Sequence, residues 1–303
     1  MFHEPDWDSY RSFLAVLEEG SLSGAARRLG LTQPTLGRHI ESVEEALGQA
    51  LFVRSQRGLT PTPAAETLRP YAEALQANAE ALVRAASRRP DTVEGLVRVT
   101  ASEVVAAEVL PNILKDAFER HPKLHFEVEA SDRTVDLLHR GADVAVRMAD
   151  PAQQTLFAAR IGEIELGLYA SPGYVARRGR IERVEDASKH VLIGPARETP
   201  YVRGLSAGLP MPPLSAFAFR TDSGAAAIAA VRSGLGAGFC QAGIARREGW
   251  VRMMPALSIR LPTWVVMHED LKTNPACRAA FDLLAEGMRV YVRSQNDPVR
   301  PSA

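Results

Sequence analysis

The chain of 303 residues holds only two cysteines, Cys240 and Cys277. That excludes a disulfide framework and fits a reducing compartment. No apolar run reaches the roughly 18 residues of a membrane span. The opening "MFHEPDWDSY" carries acids where a signal peptide carries bases, so a cytoplasmic location and no membrane partner are expected. An excess of one charge is also missing. Lys+Arg and Asp+Glu are both 36, so any surface for a polyanion must be local. The histidines (His3, His39, His121, His125, His139, His190, His268) are scattered without metal-ligand spacing. No P-loop or G-x-G-x-x-G occurs, and "GLGAG" at 234–238 follows a helical pattern instead of opening one. An enzyme is therefore disfavoured, and neither a cofactor nor a metal is expected.

Apolar residues make up 46% of the chain, enough for real cores. Its length suggests two or three domains of about 100–200 residues. At the start, Trp7, Tyr10, Phe13, Leu14 and Leu17 form a helical stripe that Gly20 closes. Ser21 can cap a second helix with Leu22, Ala25, Ala26 and Leu29 inward, and Gly30 ends it. Thr32 is an N-cap for a third helix, with Pro34 in its first turn. Leu36, Ile40, Val43 and Leu47 face inward, and Gly48 stops it. Such a helix, tight turn and helix presents the N-terminal end of the last helix to a DNA major groove. Its early residues there are Gln33, Thr35, Arg38 and His39. Gln suits an adenine edge, Arg a guanine, and the Thr methyl a thymine methyl. "LFVR", "SQRG" and "LT" then read as a small hairpin carrying Arg54 and Arg57. Residues 1–60 hold six Arg against eight acids, but five of the six Arg fall in the turn, third-helix and hairpin segments. From pattern alone, a plain three-helix bundle with a hairpin stays open.

Residues 62–89 repeat Leu68, Leu75 and Leu82 every seven positions, with Ala72, Ala79 and Ala86 between them. This is a narrow seam on one long helix. The opposite face (Arg69, Glu73, Gln76, Glu80, Arg84) is polar, which favours a helix–helix dimer seam over packing on its own domain. Pro70 would bend or break such a helix. From residue 95 strands and helices alternate, as in a parallel sheet with crossover helices. "GLVRVTAS", "LHFEVEAS", "ADVAVRM", "HVLIG", "AFAFRTDS", "GAGFC" and "PTWVVMHED" read as strands. "EVVAAEVLPNILKDAFERHP" reads as one helix, and "TVDLLHRG", "GAAAIAAVRSG" and "PACRAAFDLLAEGMRVYVRS" as others. Ligands in open α/β sheets bind outside the carboxyl ends of strands. Ser102, Glu103, Thr134, Arg147, Asp222 and Ser223 lie there. For Ser102, Thr134 and Ser223 taken singly, N-capping is the commoner role.

The runs "F-x-A-V-x-E-x-G-S-L-S-x-A-A-R-x-L", "L-T-Q-P-T-L-x-R-x-I-x-x-x-E-x-x-L-G-x-x-L-F-x-R" and "L-T-P-T" closely resemble the winged helix-turn-helix of LysR-type transcriptional regulators over residues 8–65. The remainder resembles that family's effector domain more loosely, through "HPKLHFEVEASDRTVDLLHRGADVAVR", "GLYASPGYVARRG", "VRSGLGAGF" and "PTWVVMHEDL". The resemblance implies an N-terminal mainly-α winged helix-turn-helix over 1–61 and a linker helix over 62–91. It implies a two-lobed α/β, periplasmic-binding-protein-like domain over 92–303, with lobe I at 92–162 and 265–297 and lobe II at 163–264. Double-stranded promoter DNA would be met by Ser21, Ser23, Thr32, Gln33, Pro34, Thr35, Arg38, His39, Arg54, Arg57 and Thr60. A small-molecule effector would be met by Ser102, Glu103, Thr134, Arg147, Tyr201, Val202, Arg203 and Asp222. Self-association as a dimer or tetramer is implied, with RNA polymerase as a further candidate partner. Gly37 stands where the family often has Ser, so one hydroxyl contact is lost. A transport-type solute-binding protein would share the C-terminal fold but not the winged helix-turn-helix.

Overall fold

The computed structural model describes residues 5–55, 58–86, 92–131, 142–151, 156–198, 203–204, 208–209 and 211–295. It forms two compact units that divide near residue 89. The N-terminal unit is helical with a hairpin: α1 (Trp7–Glu19), α2 (Leu22–Leu29), α3 (Gln33–Leu47), β1 (Phe52–Ser55), β2 (Gly58–Pro61) and α4 (Pro63–Ala86). Asp6, Ser21 and Thr32 cap the first three helices, each accepting a first-turn backbone N–H. Gly20, Gly30 and Gly48 end them at φ 64°, 67° and 66°. Phe13, Leu14, Val16, Ala25, Ala26, Leu36, Ile40, Val43 and Leu51 make the core. Two stripe positions depart from expectation. Trp7 and Leu47 lie at outer helix ends and are 40% and 41% exposed.

Pro70 does not break α4, which runs through it. The proline ring removes one donor, and the residue is exposed where its distortion meets no packing. The Leu/Ala seam divides along the helix. Leu68 and Ala72 pack on the bundle core, whereas Leu75 and Leu82 are 41% and 69% exposed.

The second unit is built on an eight-stranded mixed sheet in the order β4-β3-β5-β10-β6-β9-β7-β8. Its elements are β3 (Gly95–Ala101), α5 (Glu103–Glu108), α6 (Leu110–Arg120), β4 (Leu124–Ala130), β5 (Val144–Arg147), β6 (Leu156–Ala170), α7 (Pro172–Arg178), β7 (Leu192–Gly194), β8 (Phe217–Arg220), α8 (Gly224–Arg232), β9 (Ala237–Gln241), α9 (Ala242–Arg247), β10 (Val251–His268) and α10 (Pro275–Ser294). The helix expected over 134–141 lies outside the described residues. "EVVAAEVLPNILKDAFERHP" forms two helices instead of one. The chain turns at Val109, ahead of Pro111, which cannot donate a helical bond.

β6 and β10 are long antiparallel neighbours that pass through both halves of the sheet. Residues 264–267 of β10 pair with β5, while residues 166–169 of β6 pair with β9. The register shifts between Thr263 and Trp264, beside Gly162 at φ 142°. The sheet therefore divides into two lobes, joined where these strands cross. One core contains Val97, Val99, Leu110, Val144, Val265, Phe281 and Leu284. Another contains Leu168, Tyr174, Leu192, Phe217 and Met253.

Candidate nucleic-acid interface and ligand cleft

The helix-turn-helix face is set by contacts behind it. Thr32 Oγ1 accepts from Thr35 N at 3.3 Å and pairs with Thr35 Oγ1 at 2.8 Å, so the first turn of α3 is closed by its own hydroxyls. Gln33 and Pro34 are exposed on that turn and Arg38 on the next, and Thr35 is half-buried. Ser21 spends its hydroxyl on Gly24 N at 3.1 Å, and Ser23 is exposed. His39 differs from the exposed position expected of it. Its Nδ1 is 2.8 Å from Ser12 Oγ, a buried hydroxyl on α1 that needs a partner. The ring is half-buried and ties α3 to its supporting helix.

The hairpin is held at both ends. Glu44 Oε1 on α3 accepts from Leu51 N at 2.7 Å and Phe52 N at 3.1 Å. Leu59 N donates to Gly20 O at 2.9 Å. Gly58, at φ 118°, lies so close that a Cβ would stand 2.7 Å from Gly20 O. The backbone of Arg54 pairs with Leu59 and that of Thr60 with Val53, and Thr60 is exposed. Arg57 lies outside the described residues. Sequence reasoning missed Ser12 and Glu44. Both act on partners distant or non-periodic in sequence, so neither leaves a local pattern.

The second unit brings the expected strand-end residues together in part. Arg147 ends β5; its guanidinium donates to Thr100 Oγ1 at 2.8 Å and Ser131 O at 3.2 Å, gathering the ends of β3, β4 and β5. Ser102 follows β3 and makes no side-chain capping bond; its Oγ is buried without a partner among the described residues. Capping, the commoner role for such a serine, is thus not what this one does. Ser223 does cap, accepting from Ala226 N at 3.1 Å. Glu103 reaches the other lobe. Its Oε1 accepts from Ser223 Oγ at 2.7 Å, and its Oε2 accepts from Gly224 N at 2.7 Å and Ala225 N at 3.4 Å. Glu103 thereby meets the residues that directly follow Asp222. Asp222 itself pairs at the surface with Arg197 at 2.7 Å, a partner sequence reading did not find. Arg203 is exposed. Thr134, Tyr201 and Val202 lie outside the described residues.

Both thiols are buried. Cys240 is pushed up to about 12, first by burial and then by the charge of Glu108. Among the described residues no group of His, Cys, Asp or Glu could hold a metal ion. None of their helices is long and apolar enough to cross a membrane.

This architecture matches known proteins over nearly its whole length. Residues 7–66 match the model of bacterial regulatory helix-turn-helix proteins of the lysR family, and residues 90–289 that of the LysR substrate-binding domain. The uncharacterised HTH-type transcriptional regulator YhjC of Escherichia coli K12 is 27% identical over 190 residues, which cover 63% of this chain and 62% of that protein. A probable hydrogen peroxide-inducible genes activator of Mycobacterium avium is 34% identical over 153 residues, covering 50% and 49%. The chain thus spans about half to three fifths of the length of these curated relatives. The crystal structure of CbnR, a LysR family transcriptional regulator, superposes with a TM-score of 0.63 at 20% identity, covering 95% of this chain and 99% of that one. Two family models in sequence, matched one to each compact unit, and the same fold in a solved member lead to one conclusion: the chain belongs to the LysR family of helix-turn-helix transcriptional regulators.

Proposed function

We propose that this chain is an oligomeric, cytoplasmic regulator that reads promoter DNA with α3 and answers to a small-molecule effector in the inter-lobe cleft. The DNA-binding module would extend through residue 61, the linker over 62–91 and the effector domain over 92–303. The observation that carries the reading is the solvent-facing start of α3, where Gln33 and Arg38 on its first two turns stand exposed and Glu44 fixes the hairpin. Gln33, Thr35 and Arg38 would meet base edges. Arg54, Arg57 and Thr60 on the wing, with Ser21, Ser23, Thr32 and Pro34 at the helix starts, would meet the backbone. His39 is committed to Ser12 and would act by orienting α3.

Dimerisation through α4 is supported by the exposed Leu75 and Leu82, which repeat at heptad spacing. A tetramer built from such dimers and contact with RNA polymerase extend the same reading. The effector would lie against Ser102, whose buried hydroxyl has no partner among the described residues, with Arg147 behind it and Arg203 and Asp222 across the cleft. Thr134, Tyr201 and Val202 would complete the lining. The two cysteines are buried, and burial holds the Cys240 thiol protonated, which makes a thiol peroxide sensor a poor account of the signal. Its chemistry would be recognition, not turnover.

The test is retention of the purified protein on its own upstream DNA, at two salt concentrations, against unrelated competitor DNA. Specific retention that weakens steeply with salt is expected. Failure on both upstream DNA and a genomic fragment library would overturn the reading.

A further inference from the structure

α5 belongs by chain order to the first lobe, yet three of its side chains are seated in the second. At its start, the Glu103 carboxylate takes three bonds from Ser223 and the first-turn amides of α8. Next to it, Val104 packs on the cluster of Tyr169, Ile228, Cys240 and Ile244. The approach is close, since a Cβ on Gly224 would stand 2.6 Å from Val104 Cγ2. At the far end, Glu108 accepts from Arg232 at 2.9 Å and pairs also with Arg247, whose guanidinium donates to Glu108 O at 2.7 Å. Arg232 closes α8 and Arg247 closes α9, so the two carboxylates grip α8 at both of its ends. Val105 and Leu110 meanwhile anchor the same segment in the core of the first lobe.

We infer that α5 is a latch between the lobes: Glu103 on the first turn of α8 and Glu108 between Arg232 and Arg247 together hold the cleft shut, and the loss of either grip lets the cleft open. The amides of a helix N-terminus are an attractive seat for an anion, and here the protein's own carboxylate fills it. Glu103 is then a gate to the cleft instead of a permanent effector contact. An effector with an anionic group at that seat has to displace the Glu103 carboxylate, which releases one grip of the latch. The latch is a property of the chain alone. Only its regulatory consequence rests on the cleft being the effector site, so the two can fail separately.

The experiment uses the full chain without effector. Lys115→Cys on α6 and Arg178→Cys on α7 are exposed sites for spin labels, and native Cys240 and Cys277 are buried. Labelled protein is diluted with unlabelled chain, so that only distances within one chain are read by pulsed paramagnetic resonance. The latch predicts a single narrow distance with both acids intact. It predicts a second, longer distance in Glu103→Ala/Glu108→Ala, and the same longer distance in Arg232→Gln/Arg247→Gln, which unlatches from the other side. Exchange of the Gly224 and Ala225 amides should rise roughly tenfold in Glu103→Ala. An unchanged distance distribution in both double variants would overturn the latch, even with faster amide exchange, because Glu103 would then be a helix cap and nothing more.

Discussion

At the scale of single residues, two glycines of the DNA-binding unit show how one substitution changes sign with its surroundings. Gly37 lies inside α3 with helical backbone and nothing within 4 Å of a built Cβ. Gly37→Ala should therefore stabilise the protein by about 0.5–1 kcal/mol through helix propensity. Gly58 has φ 118° and the Gly20 carbonyl 2.7 Å from any Cβ. Gly58→Ala should cost roughly 2 kcal/mol or more, because the wing must leave its dock on the α1–α2 turn. Urea unfolding of the isolated variants checks both, and equal shifts of the same sign would refute the argument. The residues that punctuate the fold were legible in this way. Gly20, Gly30 and Gly48 stop helices, and Ser21 and Thr32 start them, because caps are local chemistry. The half-burial of His39 was not legible, for the opposite reason. Its partner Ser12 sits 27 positions away, and no spacing rule connects them.

At the scale of elements, helices and strands followed the periodicity of the sequence, while their contacts did not. The break at Val109 divides a run that reads as one helix, although Pro111 marks it afterwards. β10 is 18 residues long where the pattern suggested a strand only over its last part, because its first part passes through a bulge between Met253 and Ser258. Glu103 meets Gly224 across 121 positions, a pairing that no local pattern encodes. α4 is the element with most at stake. Its first turns are used within the unit, and its exposed Leu75 and Leu82 carry the proposed dimer seam. Leu75→Asp/Leu82→Asp should leave the melting transition of the monomer within a few degrees and weaken the dimer by roughly 100-fold or more, given about 1.5–3 kcal/mol per buried leucine. Sedimentation at micromolar protein separates the outcomes. An unchanged dimer would place the interface elsewhere.

At the scale of the whole molecule, a chain with no net charge separates its charges locally. In the second unit, Glu165 is held below the usual carboxylate range. Burial pushes it up, but the Ser258 hydroxyl and the Arg252 guanidinium outweigh burial. A folded-state value below the unfolded one means that the stabilisation is present above the ordinary carboxylate pKa and is lost as pH falls through the folded value. Stability should therefore decline from about pH 5 downward, and Glu165→Gln should flatten that decline. Unfolding midpoints at several acidic pH values report it, and identical slopes would remove Glu165 from the explanation.

Regulation by this chain requires that α3 read DNA. The most direct measurement is the affinity of wild type and Arg38→Ala for a retained upstream fragment and for unrelated DNA, at the same two salt concentrations. Arg38→Ala is expected to lose roughly 1–3 kcal/mol on the specific fragment, with little change on unrelated DNA beyond the loss of one charge. Wild-type affinity and specificity in Arg38→Ala would contradict it.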